Sequence, residues 1–462
     1  MPLDRLTPLD TSFLYLEQPS TPMHVGSVAV FAPPDVGFDH TALTGLIEQR
    51  IGLVPRFRQK VREVPGRLAN PVWVDDVDFD LGYHVRRSAL PRPGSDSQLR
   101  ELVGRLMGRP LDPGRPLWEM YLVEGLEGGR VAVVTKTHHA LVDGVSSVDI
   151  STVILDTTPR SREVRRDEWR PRPEPGRLGL LAGAVTDVLR RPTAALETTR
   201  ANVLDIRATT AQVLDTVTGV LSAGRLALRP APSSPLNGRV GQARRFGVAR
   251  TSLEDHRRVR KEHGGTVNDA VLAVVAGALR TWLLSRGEPV LPSSTLRAMV
   301  PVSVRSEGHA TGGFVRGYVV DLPVGEPSPV VRLARVSYAM RGHKESDESV
   351  GADVLVGLNG FAPPTIHTLG ARVASQFTRR IYNLVVTNVP GPQVPLYAGG
   401  ARMLEVFPVV PLANGQVLSI GVNSYDGGVY YGMNADRDAM PDIDVLGQLV
   451  EESLAELLGT LR

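Results

Sequence analysis

Two histidines stand side by side at one place in this chain, within Lys136-Thr137-His138-His139-Ala140-Leu141-Val142-Asp143-Gly144. A neutral imidazole is the side chain best suited to take a proton from a hydroxyl near neutral pH. The run before the pair, Val131 to Thr137, reads as a buried strand, and the Asp143-Gly144 that follows suits a sharp turn. A base at a strand end is well held at the mouth of a cleft. Adjacent strand residues face opposite ways. One ring is therefore expected to face the cleft while the other packs inward. Asp143 could bond an imidazole or pair with a distant arginine and hold the turn; the sequence leaves both open. Neighbouring residues rarely converge on one ion, and no His-Glu-x-x-His pattern occurs, so no metal is expected.

Rival chemistries lack their parts. The chain has no cysteine, which removes disulfides, thiolate metal sites and a thiol nucleophile. It has no Gly-x-Ser-x-Gly elbow, no phosphate-binding Gly-x4-Gly-Lys-Ser/Thr loop and no Gly-x-Gly-x-x-Gly. A lone base remains. That suits direct transfer of an activated group to an acceptor that the base deprotonates, with no cofactor.

The elements around the motif set its frame. At 462 residues, the length predicts two domains. Hydrophobic residues at 42% and charged ones at 22% are an ordinary globular balance, and a net charge of +3 argues against nucleic-acid partners. The start, MPLDRLTPLDTSFLYLEQ, lacks a signal-peptide pattern, and no stretch of about 18 uninterrupted apolar residues occurs. The expectation is a cytoplasmic protein that lies on a membrane if it meets one. Val25 to Phe31, Pro116 to Glu124 and Val131 to Thr137 read as strands, and Thr41 to Ile51 and Ser97 to Met107 as helices. Residues 157–235 are rich in Pro and Arg and read as a partly helical crossover. Within it, Leu178, Leu181, Val185 and Leu189 with Arg190-Arg191 could form an interfacial amphipathic helix, or a linker helix packed on the domains. Beyond it, Thr266 and Asp269 resemble a capping box before a buried apolar helix, Ala270 to Leu284. Asp426-Gly427-Gly428 marks a hairpin. The division is 1–156, carrying HHALVDG, then the crossover 157–235, then 236–462.

HHALVDG matches the HHxxxDG motif of acyl-CoA-dependent acyltransferases. Several further stretches narrow the match: Leu9-Asp10 through Glu17 and on to Pro22-Met23-His24-Val25-Gly26, Pro116-Leu117-Trp118, Asn268-Asp269-Ala270, Val300-Pro301-Val302-Ser303-Val304-Arg305, and Thr387-Asn388-Val389-Pro390-Gly391-Pro392. In order and spacing the chain resembles the bacterial wax ester synthase/diacylglycerol acyltransferase family from about residue 6 to the last helix. The resemblance implies a mixed α/β fold: two chloramphenicol-acetyltransferase-like domains with the active site between them. It implies transfer of a fatty acyl group from acyl-CoA to diacylglycerol or to long-chain alcohols, at a membrane or lipid-droplet surface. It makes His139 the base, with His138, Asp143 and Gly144 in support: Asp143 holding the turn, Gly144 leaving room. It also points to Asn268, Asp269, Glu17, Thr387 and Asn388 as substrate-binding or supporting residues. Two alternatives are a condensation-like acyltransferase fed by a carrier-protein thioester and a lipid-binding protein without catalysis. The pattern departs at Gly312-Gly313, where the family often has Gly-Asn, and at Asn414-Gly415-Gln416, where Asp-Gly-Gln is common.

Overall fold

The computed structural model describes residues 3–33, 37–142, 153–164, 169–190, 230–304, 314–345, 350–351 and 381–461. The strands in the first half are β1 (Asp4–Arg5), β2 (His24–Phe31), β3 (Gln59–Arg62), β4 (Val72–Asp75), β5 (Val85–Ala89), β6 (Trp118–Glu124) and β7 (Val131–His138). Those in the second are β8 (Arg244–Ser252), β9 (Leu296–Val304), β10 (Phe314–Leu322), β11 (Val350–Gly351), β12 (Leu384–Pro390), β13 (Tyr397–Ala398), β14 (Ala401–Val409), β15 (Leu418–Tyr425) and β16 (Gly428–Asp436). They form two large sheets and a small one. The first large sheet has the order β13-β14-β2-β7-β6-β5, and the second β11-β10-β9-β12-β15-β16-β8; β1, β4 and β3 form the small sheet.

β7 lies between β2 and β6, and every one of its residues is buried. An unbroken apolar run such as Val131 to Val134 is what a strand covered on both faces requires. One face meets the core around Phe31, Leu43, Ile47 and Trp118. The other meets the helix Asp96–Met107, whose Leu99, Leu102, Val103 and Leu106 all turn inward, together with Phe246 and Phe407 from the second half. The second sheet carries its own core over the helix Val267–Ser285. That helix starts at the expected box: Thr266 Oγ1 accepts from the Asp269 N–H, and Asp269 Oδ2 from the Thr266 N–H. By length and composition alone it could cross a membrane, although Asn268, Asp269 and Arg280 interrupt its apolar run. Its place is the protein interior, with buried residues on all sides.

The division at 156 and 235 follows chain order but not sheet membership. Residues 397–409 return to the first sheet, where β14 pairs antiparallel with β2. The edge of β2 is thereby covered by the second half of the chain. Ion pairs and close glycine contacts seal the same seam. Arg250 on β8 binds Glu405 on β14 through Nε (2.6 Å) and a terminal nitrogen (2.8 Å), and reaches Asp96 at 3.1 Å. At Gly432 a Cβ would stand 1.9 Å from the Pro408 carbonyl oxygen, so only glycine lets β16 approach β14 this closely. In the crossover, the helix Arg177–Arg190 packs through Leu180, which is buried against Val72, Val74 and Leu3. Leu178, assigned from sequence to an apolar face, is 82% exposed. Residues 165–168 and 191–229 of the crossover lie outside the described residues.

Candidate active site

β7 delivers both histidines. His138 is its last residue, paired across the ladder with His24, and His139 opens a short helical turn, His139–Val142. Their backbones are tied to the neighbouring chain on either side. The His138 N–H donates to the Leu117 carbonyl (2.9 Å), and the His139 N–H to the Met23 carbonyl (2.8 Å). Pro116-Leu117-Trp118 and Pro22-Met23-His24 therefore grip the motif through their main chains.

The two rings stand in different surroundings. His138 is 1% exposed. Its Nδ1 accepts from the Ala140 N–H at 3.1 Å, so the ring proton sits on Nε2, which faces Glu17 Oε2 at 3.6 Å. The other oxygen of Glu17 accepts from the Met23 N–H at 3.2 Å. Glu17, Met23, His139 and His138 thus form a circuit whose one link without a covalent or hydrogen bond is the 3.6 Å contact between Glu17 and His138. His139 is only half-buried, and its ring stacks on Phe13 with centroids 4.1 Å apart and planes 22° from parallel. The expected division between an inward and an outward ring is present. Its cause is different: His139 has left the strand for a helical turn, so strand alternation does not orient it.

Phe13 lies on the helix Pro8–Leu16, which was not anticipated from the sequence, and Glu17 is the extended residue that ends it. Thr7 caps it, with Asp10 completing a capping box and Pro8 at its first position. The Glu17 N–H closes it on the Phe13 carbonyl at 3.2 Å. Phe13 on this helix thus meets His139, and Glu17 at its C-terminal cap faces His138.

Next to His138 the sheet carries His24 and Lys136. His24 Nε2–H donates to the Met107 carbonyl at 2.9 Å, and burial, helped by the nearby Lys136 charge, holds its pKa well below the ordinary value. Burial also lowers Lys136, opposed by Glu119, whose Oε2 is 3.5 Å away. Glu119 also accepts from Tyr121 (2.8 Å) and pairs with Arg86 (3.1 Å). Glu119 thus serves two cations, Lys136 and Arg86, beside the histidine pair.

The second half supplies another cluster. Asn268, in the first turn of the helix Val267–Ser285, accepts at Oδ1 from the Asn388 side-chain amide on β12 at 3.1 Å. Thr387 precedes Asn388 on the strand and so points to the opposite face. Asp269 is committed to the helix cap. The candidate residues therefore fall into two groups, one per domain: Glu17, His138 and His139 with Phe13, and Asn268 with Asn388. Asp143, Gly144 and Gly312-Gly313 lie outside the described residues. Among the described residues no three His, Asp or Glu side chains are grouped to hold a metal ion. At the other departure, Gln416 is buried and donates to the Tyr382 carbonyl at 3.1 Å, an architectural bond.

Comparison with known proteins places this arrangement. Residues 6–271 match the model of the wax ester synthase/diacylglycerol acyltransferase catalytic domain, and residues 311–458 that of the corresponding C-terminal domain. A probable diacylglycerol O-acyltransferase of Mycobacterium tuberculosis (tgs3) is 50% identical over 56% of this chain and 96% of its own length. Another from the same species (tgs2) is 34% identical over 98% of this chain and 99% of its own. Among solved structures, the wax ester synthase/diacylglycerol acyltransferase of Marinobacter aquaeolei superposes with a TM-score of 0.68 at 28% identity, covering 98% of both chains. The first condensation domain of the calcium-dependent antibiotic synthetase shares the fold, with a TM-score of 0.58 at 16% identity over 99% of this chain and 97% of its own.

Proposed function

Because this chain belongs to the wax ester synthase/diacylglycerol acyltransferase family, we propose that it moves a long-chain fatty acyl group from acyl-CoA to the hydroxyl of diacylglycerol, and also to long-chain alcohols. His139 is the general base. It takes the hydroxyl proton while the oxygen attacks the thioester carbonyl. The C–O bond forms, the tetrahedral oxyanion collapses, the C–S bond breaks, and the proton passes to the departing thiolate. The two substrates complete the reaction, so no acyl-enzyme, metal or other cofactor is required.

The observation that carries this reading is the contrast between the two rings. His138 has its Nδ1 occupied and its proton aimed at Glu17, which suits it to hold its neighbour. His139 is half-exposed and fixed by its backbone and by Phe13, which suits it to meet a substrate. General-base help of this sort contributes about 10² to 10⁴ in rate. Asn268 is the oxyanion donor in this scheme. Its Oδ1 is engaged by Asn388, which turns its own N–H groups toward other acceptors; such a donor is worth about 10² to 10³. In the same scheme Asp143 is assigned to holding the turn and Gly144 to leaving room for substrate or backbone. Since the substrates are insoluble, the enzyme works from the cytoplasmic side at a membrane or lipid-droplet surface.

The test incubates purified protein with palmitoyl-CoA and either dioleoylglycerol or hexadecanol, and measures released coenzyme A and the lipid product. Both products are expected, and His139→Ala should abolish both while still folding. No product from either acceptor would reject the substrate assignment. A wild-type rate in the alanine variant would reject His139 as base.

A further inference from the structure

The sequence brings Phe13 into the site for no chemical reason of its own: a phenyl ring neither donates nor accepts a proton. Its position is nevertheless determined. Thr7 and Asp10 close the capping box and fix where its helix begins, and the Glu17 N–H bonded to the Phe13 carbonyl fixes where it ends. Within those limits the Phe13 ring lies flat on the imidazole of His139, at 4.1 Å and 22°. A backbone hydrogen bond does not by itself stop an imidazole rotating about its side-chain bonds. A flat aromatic surface against one face restricts that rotation without covering the ring edge; of the two nitrogens there, Nδ1 is itself buried. The same face stabilises the positive imidazolium created when His139 takes a proton.

We propose that Phe13 is the positioning residue for His139, holding the ring edge toward the acceptor hydroxyl and supporting its charged form as the reaction proceeds. This rests on His139 being the base. Phe13 meets the face of the imidazole rather than its reacting edge, so the effect of removing the stack should fall on turnover and leave binding alone. Misplacement of a reacting group by about 1 Å costs up to about 10² in rate, and partial loosening of a ring should cost about tenfold.

The experiment compares Phe13→Leu, Phe13→Met and Phe13→Tyr with wild type, using palmitoyl-CoA and dioleoylglycerol. Leu keeps bulk without a flat face. Met does so with a flexible chain, and serves where Leu lowers the melting temperature. Tyr keeps the stack. The expected result is a kcat about tenfold lower in Leu and Met, KM within about twofold of wild type, and near-full recovery in Tyr. The proposal is overturned if Leu and Met keep wild-type kcat, or if the loss appears in KM. It is also overturned if Tyr falls as far as Leu in a folded protein. His139→Ala, run in parallel, separates the two ideas. If that variant is inactive while Phe13→Leu is unimpaired, the base stands and the positioning role falls; if His139→Ala is active, the base assignment itself has failed.

Discussion

Replacing Glu17 by glutamine alters only a charge and two protons, yet it should slow the enzyme. The carboxylate accepts through Oε1 from the Met23 N–H at 3.2 Å, while Oε2 faces the His138 Nε2–H at 3.6 Å, an electrostatic contact beyond hydrogen-bond reach. An amide has one acceptor and one donor end. In either orientation its NH₂ meets an N–H, so one of the two contacts becomes donor against donor. Setting a second donor against a buried one, in place of a carboxylate oxygen, costs about 1–3 kcal/mol. Glu17 is 28% exposed, so water relieves part of this, and about 1–2 kcal/mol is the working figure. The Met23 carbonyl holds the His139 N–H, so the misfit reaches the proposed base through one residue. If all of it appears in the transition state, kcat falls about 5- to 30-fold. Initial rates of coenzyme A release across a range of palmitoyl-CoA concentrations give kcat and KM separately, and thermal unfolding reports the fold. A Glu17→Gln enzyme with unchanged kcat would refute the circuit. So would a stability loss of the full size with no change in turnover.

Other variants test the frame. Arg250→Ala removes a two-pronged pair to Glu405 and a contact to Asp96; at 36% exposure of the arginine this should cost about 1–2 kcal/mol by urea titration, and lysine should restore only part. Gly432→Ala drives a Cβ into the Pro408 carbonyl, which backbone cannot yield cheaply, so soluble yield and melting temperature should both drop, by about 2 kcal/mol or more in stability. His84 is buried between the rings of Phe79 and Trp118, and burial brings its pKa down to about 4. The unfolded chain binds that proton first. The stabilisation is thus complete above about pH 6.5 and drains away as pH falls toward about 4, with about 2 kcal/mol gone near pH 5. His24 and His256, also held low by burial, act in the same direction, and His84→Gln should flatten the melting profile measured from pH 7 to 5.

Much of the fold is written locally. The capping box at Thr266 and the apolar run after it are contiguous in sequence, and so is the Asp426-Gly427 turn. There the positive φ values of 43° and 83° are those a two-residue hairpin needs. The histidine pair and its strand are equally plain. What stays hidden depends on partners far along the chain. β14 carries Pro408 and polar Arg402 and Glu405, so it offers no clean alternation; it becomes a strand because β2 presents a free edge. The helix Pro8–Leu16 has its signals in Pro8 and the Thr7–Asp10 box, but only the folded chain shows that its Phe13 meets His139. Sequence spacing picks Leu178 over Leu180 because helical periodicity orders residues around an axis and does not say which side finds a surface.

The late return of β14 has a consequence for biosynthesis. A ribosome making this chain emits β2, β5, β6 and β7 early, yet the strand that closes their sheet is not complete until residue 409. For most of translation the nascent first half carries β2 as an open, apolar edge, the kind of template that recruits other chains. A message cut short before that point would yield a protein with its histidine motif intact and its sheet unfinished. The cell should treat such a fragment as a client for chaperones, and a gene split at the crossover should yield a first half that aggregates unless the second is made beside it.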